Sequence, residues 1–343
     1  MNRVELSERK KMVLSSIVDQ YIATGAPVGS KAVCGALDST CSSATVRNEM
    51  GELIELGFLL QPHTSAGRIP SNKGLRFYVN SLMKKYKLSE QDKSLIDNAL
   101  PKYADNPDDF MVKAGTVLAN ITRCAAVTTV PIDSEASLAR AEVIPMGAGT
   151  ALLAVLTSSG MIKNRVCHCD LSLSAEDAEL FAKVINKAFT GARISTITLA
   201  KVQSLAAAFG DRMLVLSPIL NGFYLIVEDF IDMKYRFEGE TNLLFRNDMT
   251  EENLLKILGF LNRRGSLSDI LKRTGDRTEV LIGEETDEEA LSSATIISAG
   301  YAGRSHIIGK IAIIGPTKLD YFHIIPGIEY FASAIEKILL RSI

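Results

Sequence analysis

The stretch Ser42-Ser43-Ala44-Thr45-Val46-Arg47-Asn48-Glu49-Met50-Gly51-Glu52-Leu53-Ile54-Glu55-Leu56-Gly57 predicts a helix. Ser42 is a good N-cap, because its hydroxyl can accept an amide left free in the first turn, and Gly57 stands where a left-handed C-terminal cap is wanted. Val46, Met50, Leu53 and Ile54 recur at helical spacing and draw one apolar stripe. Ala44, Thr45, Arg47 and Asn48 then project from the N-terminal half on the other side. Arginine can bond a guanine edge, asparagine an adenine edge, and alanine or threonine can touch a thymine methyl. The same residues also suit an ordinary solvent-facing helix surface, and the neighbouring sequence decides between the two.

Upstream, a helix is expected over 7–24, capped by Ser7 and closed by Gly25, with Leu14, Ile17, Val18, Tyr21 and Ile22 on its core stripe. Gly25-Ala26-Pro27-Val28-Gly29 breaks it, a short helix capped by Ser30 follows, and Asp38-Ser39-Thr40-Cys41 makes a tight turn. Helix, short helix, turn and helix is the order of a helix-turn-helix, whose last helix enters the major groove. Downstream, Phe58-Leu59-Leu60-Gln61 reads as a strand, Pro62 to Arg68 as a polar turn and Ile69-Pro70 as its return, so a hairpin follows in the place of a wing. His63 and Arg68 at its tip would meet the phosphate backbone or the minor groove. Ser71 caps a further helix over 72–86, with Leu75, Val79, Leu82 and Met83 inward and Arg76 outward.

Charge supports a polyanion partner. The whole chain carries a net charge of −2, yet residues 1–87 carry +5 and the remainder −7. Between Leu56 and Ser89 there is no acidic residue, while Arg68, Lys73, Arg76, Lys84, Lys85 and Lys87 are present.

Pro27-Val28-Gly29-Ser30-Lys31, Ser43-Ala44-Thr45-Val46-Arg47-Asn48-Glu49-Met50 and Gln61-Pro62-His63-Thr64-Ser65-Ala66-Gly67-Arg68-Ile69-Pro70 resemble the N-terminal domain of the HrcA family, heat-inducible transcription repressors of bacterial chaperone operons. Three runs in order, one of ten residues without a gap, make the resemblance specific. It departs at Gly51, where the family usually carries Ala, at Asp38, usually Gly, and at Cys41, usually apolar. The resemblance implies a dimer whose winged helices each read one half of an inverted-repeat operator in double-stranded DNA. Ala44, Thr45, Arg47 and Asn48 would read bases, and Ser43, Thr64, Ser65, Arg68, Lys73 and Arg76 would position the phosphates, with His63 at the wing. It further implies inactivation by heat and restoration by the chaperonin.

From about residue 88 the composition shifts to mixed helices and strands. Helix is expected over 88–122, interrupted at Pro101 and Pro107, then strands at 125–131, 139–143, 151–157 and 161–167, and helices at 174–189, 197–209 and 213–232. The end brings a helix at 251–263, strands at 279–282, 294–301 and 307–314, and a closing helix over 321–341. This is the pattern of an α+β sensor-like domain with an insertion. Gly239-Glu240-Thr241-Asn242-Leu243-Leu244, Ile282-Gly283-Glu284-Glu285 and the run Gly309 to Tyr321 extend the family resemblance, with Lys318 where Arg is usual. The fold class implied is α+β multidomain. Residues 1–87 form the winged helix domain, 88–138 and 236–343 a GAF-like domain, and 139–235 an inserted dimerisation domain.

Catalytic patterns are sparse. Four histidines and no GxxxxGK[ST], HExxH or GxSxG pattern leave little for an enzyme, and no cofactor is implied. Cys167-His168-Cys169 reads as alternation at a strand end with two free thiols rather than a zinc site, since three adjacent ligands cannot easily close on one ion. Met146-Gly147-Ala148-Gly149-Thr150 reads as a turn. Glu284, Glu285, Asp287, Glu288 and Glu289 read as a solvated loop, and Arg304 with His306 as a hairpin. Five scattered cysteines make no disulfide framework, and a charged start with no apolar run of ~18 residues points to the cytosol. A winged-helix regulator gated by a small molecule in the GAF-like domain is the rival reading, and an enzyme with a DNA arm the more distant one.

Overall fold

Ser7 opens helix α1 (Glu8–Thr24) by accepting the Lys10 amide at 3.3 Å, and Gly25 closes it at φ 72°. This computed structural model describes residues 6–37, 42–62, 67–84, 86–102, 106–130, 135–147, 149–169, 172–231, 234–246, 248–275, 277–302 and 307–342. Helix α2 (Ser30–Ala36) departs from expectation at its start. Its cap is Gly29, and the Ser30 hydroxyl lies 3.0 Å from that of Ser43 instead. Helix α3 (Ser43–Glu55) begins at Ser42, whose Oγ accepts the Thr45 amide at 3.1 Å, and turns out through Gly57 at φ 77°. Strands β1 (Leu59–Leu60) and β2 (Ile69–Pro70) pair antiparallel. Ser71 caps α4 (Asn72–Phe77), and the helix continues only as a π-helical turn over Tyr78–Leu82, short of the expected end at 86.

Two glycines fix this hairpin. A Cβ on Gly67 would stand 2.5 Å from the Val28 carbonyl, and one on Gly74 would stand 2.1 Å from the Phe58 carbonyl oxygen. Only glycine lets the backbones approach so closely. The Gly67 approach carries a bridge in which the Val28 and Arg68 amides exchange hydrogen bonds at 2.8 Å.

The chain divides into two compact units, Met1–Thr129 with Tyr235–Ser342, and Val130–Lys234. In the first, α5 (Glu90–Ala99) and α6 (Pro107–Thr122) lead to a five-stranded antiparallel sheet of β3 (Ala125–Thr129), β7 (Tyr235–Glu238), β8 (Glu279–Ile282), β9 (Ala294–Ala302) and β10 (Ile307–Pro316), ordered β7-β3-β10-β9-β8. One face of the sheet, with Ile297, Tyr301, Ile311 and Ile313, shares a core with α6, the closing helix α13 (Tyr321–Ser342) and the N-terminal helices. The other, with Val127, Ile296 and Ile314, packs Phe260 and Ile257 of α11 (Glu251–Leu261) and Leu267 and Ile270 of α12 (Arg264–Arg273). Neither β7 nor α12 is legible as a separate element in the sequence. The end of α12 is held from within the sheet: the buried Lys310 ammonium donates to the Leu271 carbonyl at 2.9 Å and to Thr274 Oγ1 at 3.2 Å. A lysine on free terminal carbonyls stabilises that helix end.

In the second unit, strands β4 (Leu138–Gly147), β5 (Thr150–Thr157) and β6 (Ile162–His168) form an antiparallel meander. The strict alternation of β5 sends Ala151, Leu153 and Val155 into a core with Phe181 and Ile185 of α7 (Ala175–Phe189) and with Leu216, Phe223 and Ile226 of α10 (Met213–Ile231). The helix expected over 197–209 is broken into α8 (Leu199–Ser204) and α9 (Ala206–Phe209). The stretch Leu199–Ile231 is long and apolar enough, by length and composition, to cross a membrane, which corrects the sequence reading that no such run exists. Its apolarity is spent on this core, where Leu216, Ile219, Leu220, Phe223, Ile226, Val227 and Phe230 are buried.

Candidate nucleic-acid interface

Helix α3 has two functionally different sides. Val46, Met50 and Leu53 are buried, and Ile54 packs partly against the same core. Ala44, Arg47 and Asn48 are exposed, Thr45 is half-buried, and neither Arg47 nor Asn48 has a hydrogen-bond or ion-pair partner among the described residues. Thr45 Oγ1 lies 2.9 Å from Ser42 Oγ, which ties it to the cap, and Ser43 is engaged with Ser30 of α2. Four sequence-selected side chains therefore share one helix end, and two of them, Arg47 and Asn48, are exposed with no donor engaged among the described residues.

Electrostatics next to that end are managed by a residue the sequence reading passed over. Lys10 of α1 bridges Glu49 at 3.1 Å and Glu52 at 2.8 Å. Hydrogen bonding to Glu52, then to Glu49, raises the Lys10 pKa above its ordinary value, so the ammonium stays charged. The bridge sets α3 against α1 and neutralises the acid that adjoins Asn48. Lys31 of α2 is also exposed, one residue from the Ser30–Ser43 contact. Its basic side chain was visible in the sequence, but its proximity to α3 needed the tertiary packing.

The remaining sequence-selected positions fall into three groups. His63, Thr64 and Ser65 lie outside the described residues. Arg68 is half-buried at the hairpin base, with its backbone in the bridge to Val28 and Nη1 donating to the Gly67 carbonyl at 3.4 Å. Lys73 and Arg76, expected on phosphates, are taken up by the protein itself. Lys73 Nζ donates to the Leu56 carbonyl at 2.8 Å and lies 4.6 Å from the Phe58 ring centroid, so it caps the C-terminal end of α3. Arg76 Nε donates to Glu285 Oε1 at 2.7 Å, and its Nη2 to Glu285 Oε2 and to the Val280 carbonyl. The acid-free stretch finds its counter-charge more than two hundred residues away, which no local reading can see.

Elsewhere Cys167 and Cys169 are buried cysteines outside any disulfide, with His168 exposed between them, the alternation expected of a strand end. Burial, and then the neighbouring Cys169, pushes the Cys167 thiol pKa up. Among the described residues no group of three metal-binding side chains converges. Arg304 and His306 lie outside the described residues.

The family model of the HrcA protein C-terminal domain matches residues 108–325. The heat-inducible transcription repressor HrcA of Acetivibrio thermocellus is 33% identical to this chain over 98% of it and 97% of its own length. The chain belongs to the HrcA family. The HrcA repressor of Symbiobacterium thermophilum is 30% identical over 97% of this chain and 98% of its own. A crystal structure titled as that of a hypothetical protein shares the fold, with a TM-score of 0.66 and 24% identity, covering 99% of this chain and 100% of that one. As an HrcA-family member the protein is a heat-inducible transcription repressor, a DNA-binding regulator of α+β architecture.

Proposed function

We propose that α1, α2, α3 and the β1–β2 hairpin form a winged helix-turn-helix in which α3 is the recognition helix. Ala44, Thr45, Arg47 and Asn48 read base edges in the major groove, and Ser43, Arg68 and Lys31 position the duplex, with Thr64, Ser65 and His63 serving at the wing. The observation that carries this reading is the pairing of a fully anchored apolar side of α3 with an Arg47–Asn48 side that has no intramolecular partner among the described residues. Lys73 and Arg76 drop out of the phosphate set, because the fold already uses them.

The repressor acts as a homodimer on an inverted repeat in the cytoplasm, since a two-fold protein presents its recognition helices two-fold. Support for the homodimer comes from the outer face of the β4-β5-β6 sheet. Ile144, Met146, Ile162 and Val166 are each about half exposed or more, at 52%, 60%, 65% and 49%, and Ile144 and Val166 flank Leu152 in register. Such an apolar sheet face in a water-soluble regulator is suited to a second copy of itself. On this reading residues 1–87 bind DNA, 88–138 and 236–343 form a GAF-like body, and the inserted residues 139–235 hold the dimer together. Its operators are those of chaperone genes, heat lowers its affinity, and chaperonin restores it.

A gel-shift titration on an inverted-repeat chaperone operator beside a scrambled duplex, with and without chaperonin and ATP, tests the whole. Preferential operator binding strengthened by chaperonin is expected; equal binding to both duplexes overturns the readout assignment.

A further inference from the structure

Strand β8 is an edge of the five-stranded sheet, and an open edge invites pairing with another chain. Two of its outward backbone groups are nonetheless occupied. The Val280 carbonyl accepts from Arg76 Nη2, and the Ile282 amide donates to Glu285 Oε2 at 2.8 Å. Arg76 and Glu285 are themselves joined through both carboxylate oxygens, and Asn80 Oδ1 accepts from Arg76 Nη1 at 3.3 Å. One arginine from the helix that follows the hairpin and one glutamate from the turn after β8 thus stand where a neighbouring strand would bond. A second contact fixes the same corner: Asn72 Nδ2 donates to the Ser292 carbonyl at 3.1 Å, over Gly283, where a Cβ would come within 2.0 Å of that amide nitrogen.

We propose that Arg76 and Glu285 form a latch which seats α4 on the sheet and closes the β8 edge, and that its opening is an early step in the loss of repressor activity on heating. The inference rests on the repressor reading for its consequence but not for its geometry. Opening the latch does two things at once. It frees the helix that follows the hairpin, and with it the support of α3 through Lys73, and it uncovers the Val280 and Ile282 backbone groups. A bidentate arginine–carboxylate pair suits the role, since lysine lacks the planar fork that spans both oxygens and the carbonyl.

The test uses the full chain as wild type, Arg76→Lys, Arg76→Ala and Glu285→Gln. Hydrogen exchange is followed by mass spectrometry while temperature is raised, and operator affinity is measured across salt concentrations. Expected is exchange at 279–282 at least about tenfold faster in Arg76→Ala and Glu285→Gln while β9 and β10 stay protected, with Arg76→Lys between them and wild type. Operator binding is expected to fail at a lower temperature in the same order, at an unchanged salt slope. Unchanged exchange at 279–282, or exchange rising equally through β9 and β10, overturns the latch. A salt slope reduced by about one in Arg76→Ala would return Arg76 to the phosphates and also overturn it. The exchange measurement needs no DNA, so failure of the operator reading and failure of the latch remain distinguishable.

Discussion

Arg47 and Arg76 lie in the same basic quarter of the chain, each on the outward side of a short helix that begins with a serine cap, yet they end in opposite situations. Arg47 has no partner among the described residues; Arg76 is held by a carboxylate, a backbone carbonyl and an amide oxygen. The difference lies in what the rest of the fold brings up to each helix. Among the described residues, the side-chain bond that reaches the first turn of α3 from another helix is the one from Ser30 of α2, whereas α4 is docked against the turn after β8. A partnerless arginine at a helix surface is available to a ligand, and an engaged one must first be released.

The sharpest way to break this comparison is Arg47→Ala, expected to cost ~1 to 3 kcal/mol of operator binding and to relax preference at one base pair. Competition titrations against single-substituted operators measure it; wild-type discrimination in this variant would return Arg47 to the solvent. Next is Ser42→Ala. Loss of the bond to the Thr45 amide should remove about 1 kcal/mol from denaturant-measured stability and weaken operator binding, because the readout residues occupy the turn that Ser42 caps. Gly51→Ala tests the opposite end of the same helix. Nothing lies within 4 Å of the Cβ it would add, so the helix should gain roughly 0.5 to 1 kcal/mol with operator affinity unchanged. A loss of stability would show that the site is tighter than its geometry indicates.

The smallest effect concerns an acid engaged like Glu285 but in the unit Val130–Lys234. Asp177 accepts from the Ser174 hydroxyl at 2.7 Å and from its amide at 3.1 Å, and these bonds, the hydroxyl first, with Arg212 beside it, hold its pKa below the usual carboxylate value. A lowered folded-state pKa contributes stability above the unfolded value, and that contribution fades as pH falls through the folded one. Melting curves of Asp177→Asn should accordingly lie below wild type at neutral pH and converge with it in acid. A gap independent of pH would mean that the side chain matters by shape rather than charge.

Much of the N-terminal region was legible in the sequence because its determinants are local. The caps Ser7, Ser42 and Ser71, the break at Gly25 and the apolar stripe of α3 each act within a few residues of the helix they define. Where the determinant was not local, reading faltered. Ser30 has the type of a cap, but its hydroxyl is drawn to Ser43. Strand β7 is four residues with no alternation in burial, recognisable only through its pairing with β3. Helix α12, low in apolar content, is held by the three buried residues Leu267, Ile270 and Leu271 and by a lysine from β10.

By itself, then, the sequence determined where helices begin, which side of α3 faces the core and which family the motifs belong to, since capping, periodicity and short-range spacing are properties of neighbours along the chain. Only the tertiary structure decided which of the basic side chains remain available. Charge is visible in sequence, but whether a charge is already satisfied depends on groups such as Glu285 and the Val280 carbonyl that are brought within bonding distance only when the sheet is formed.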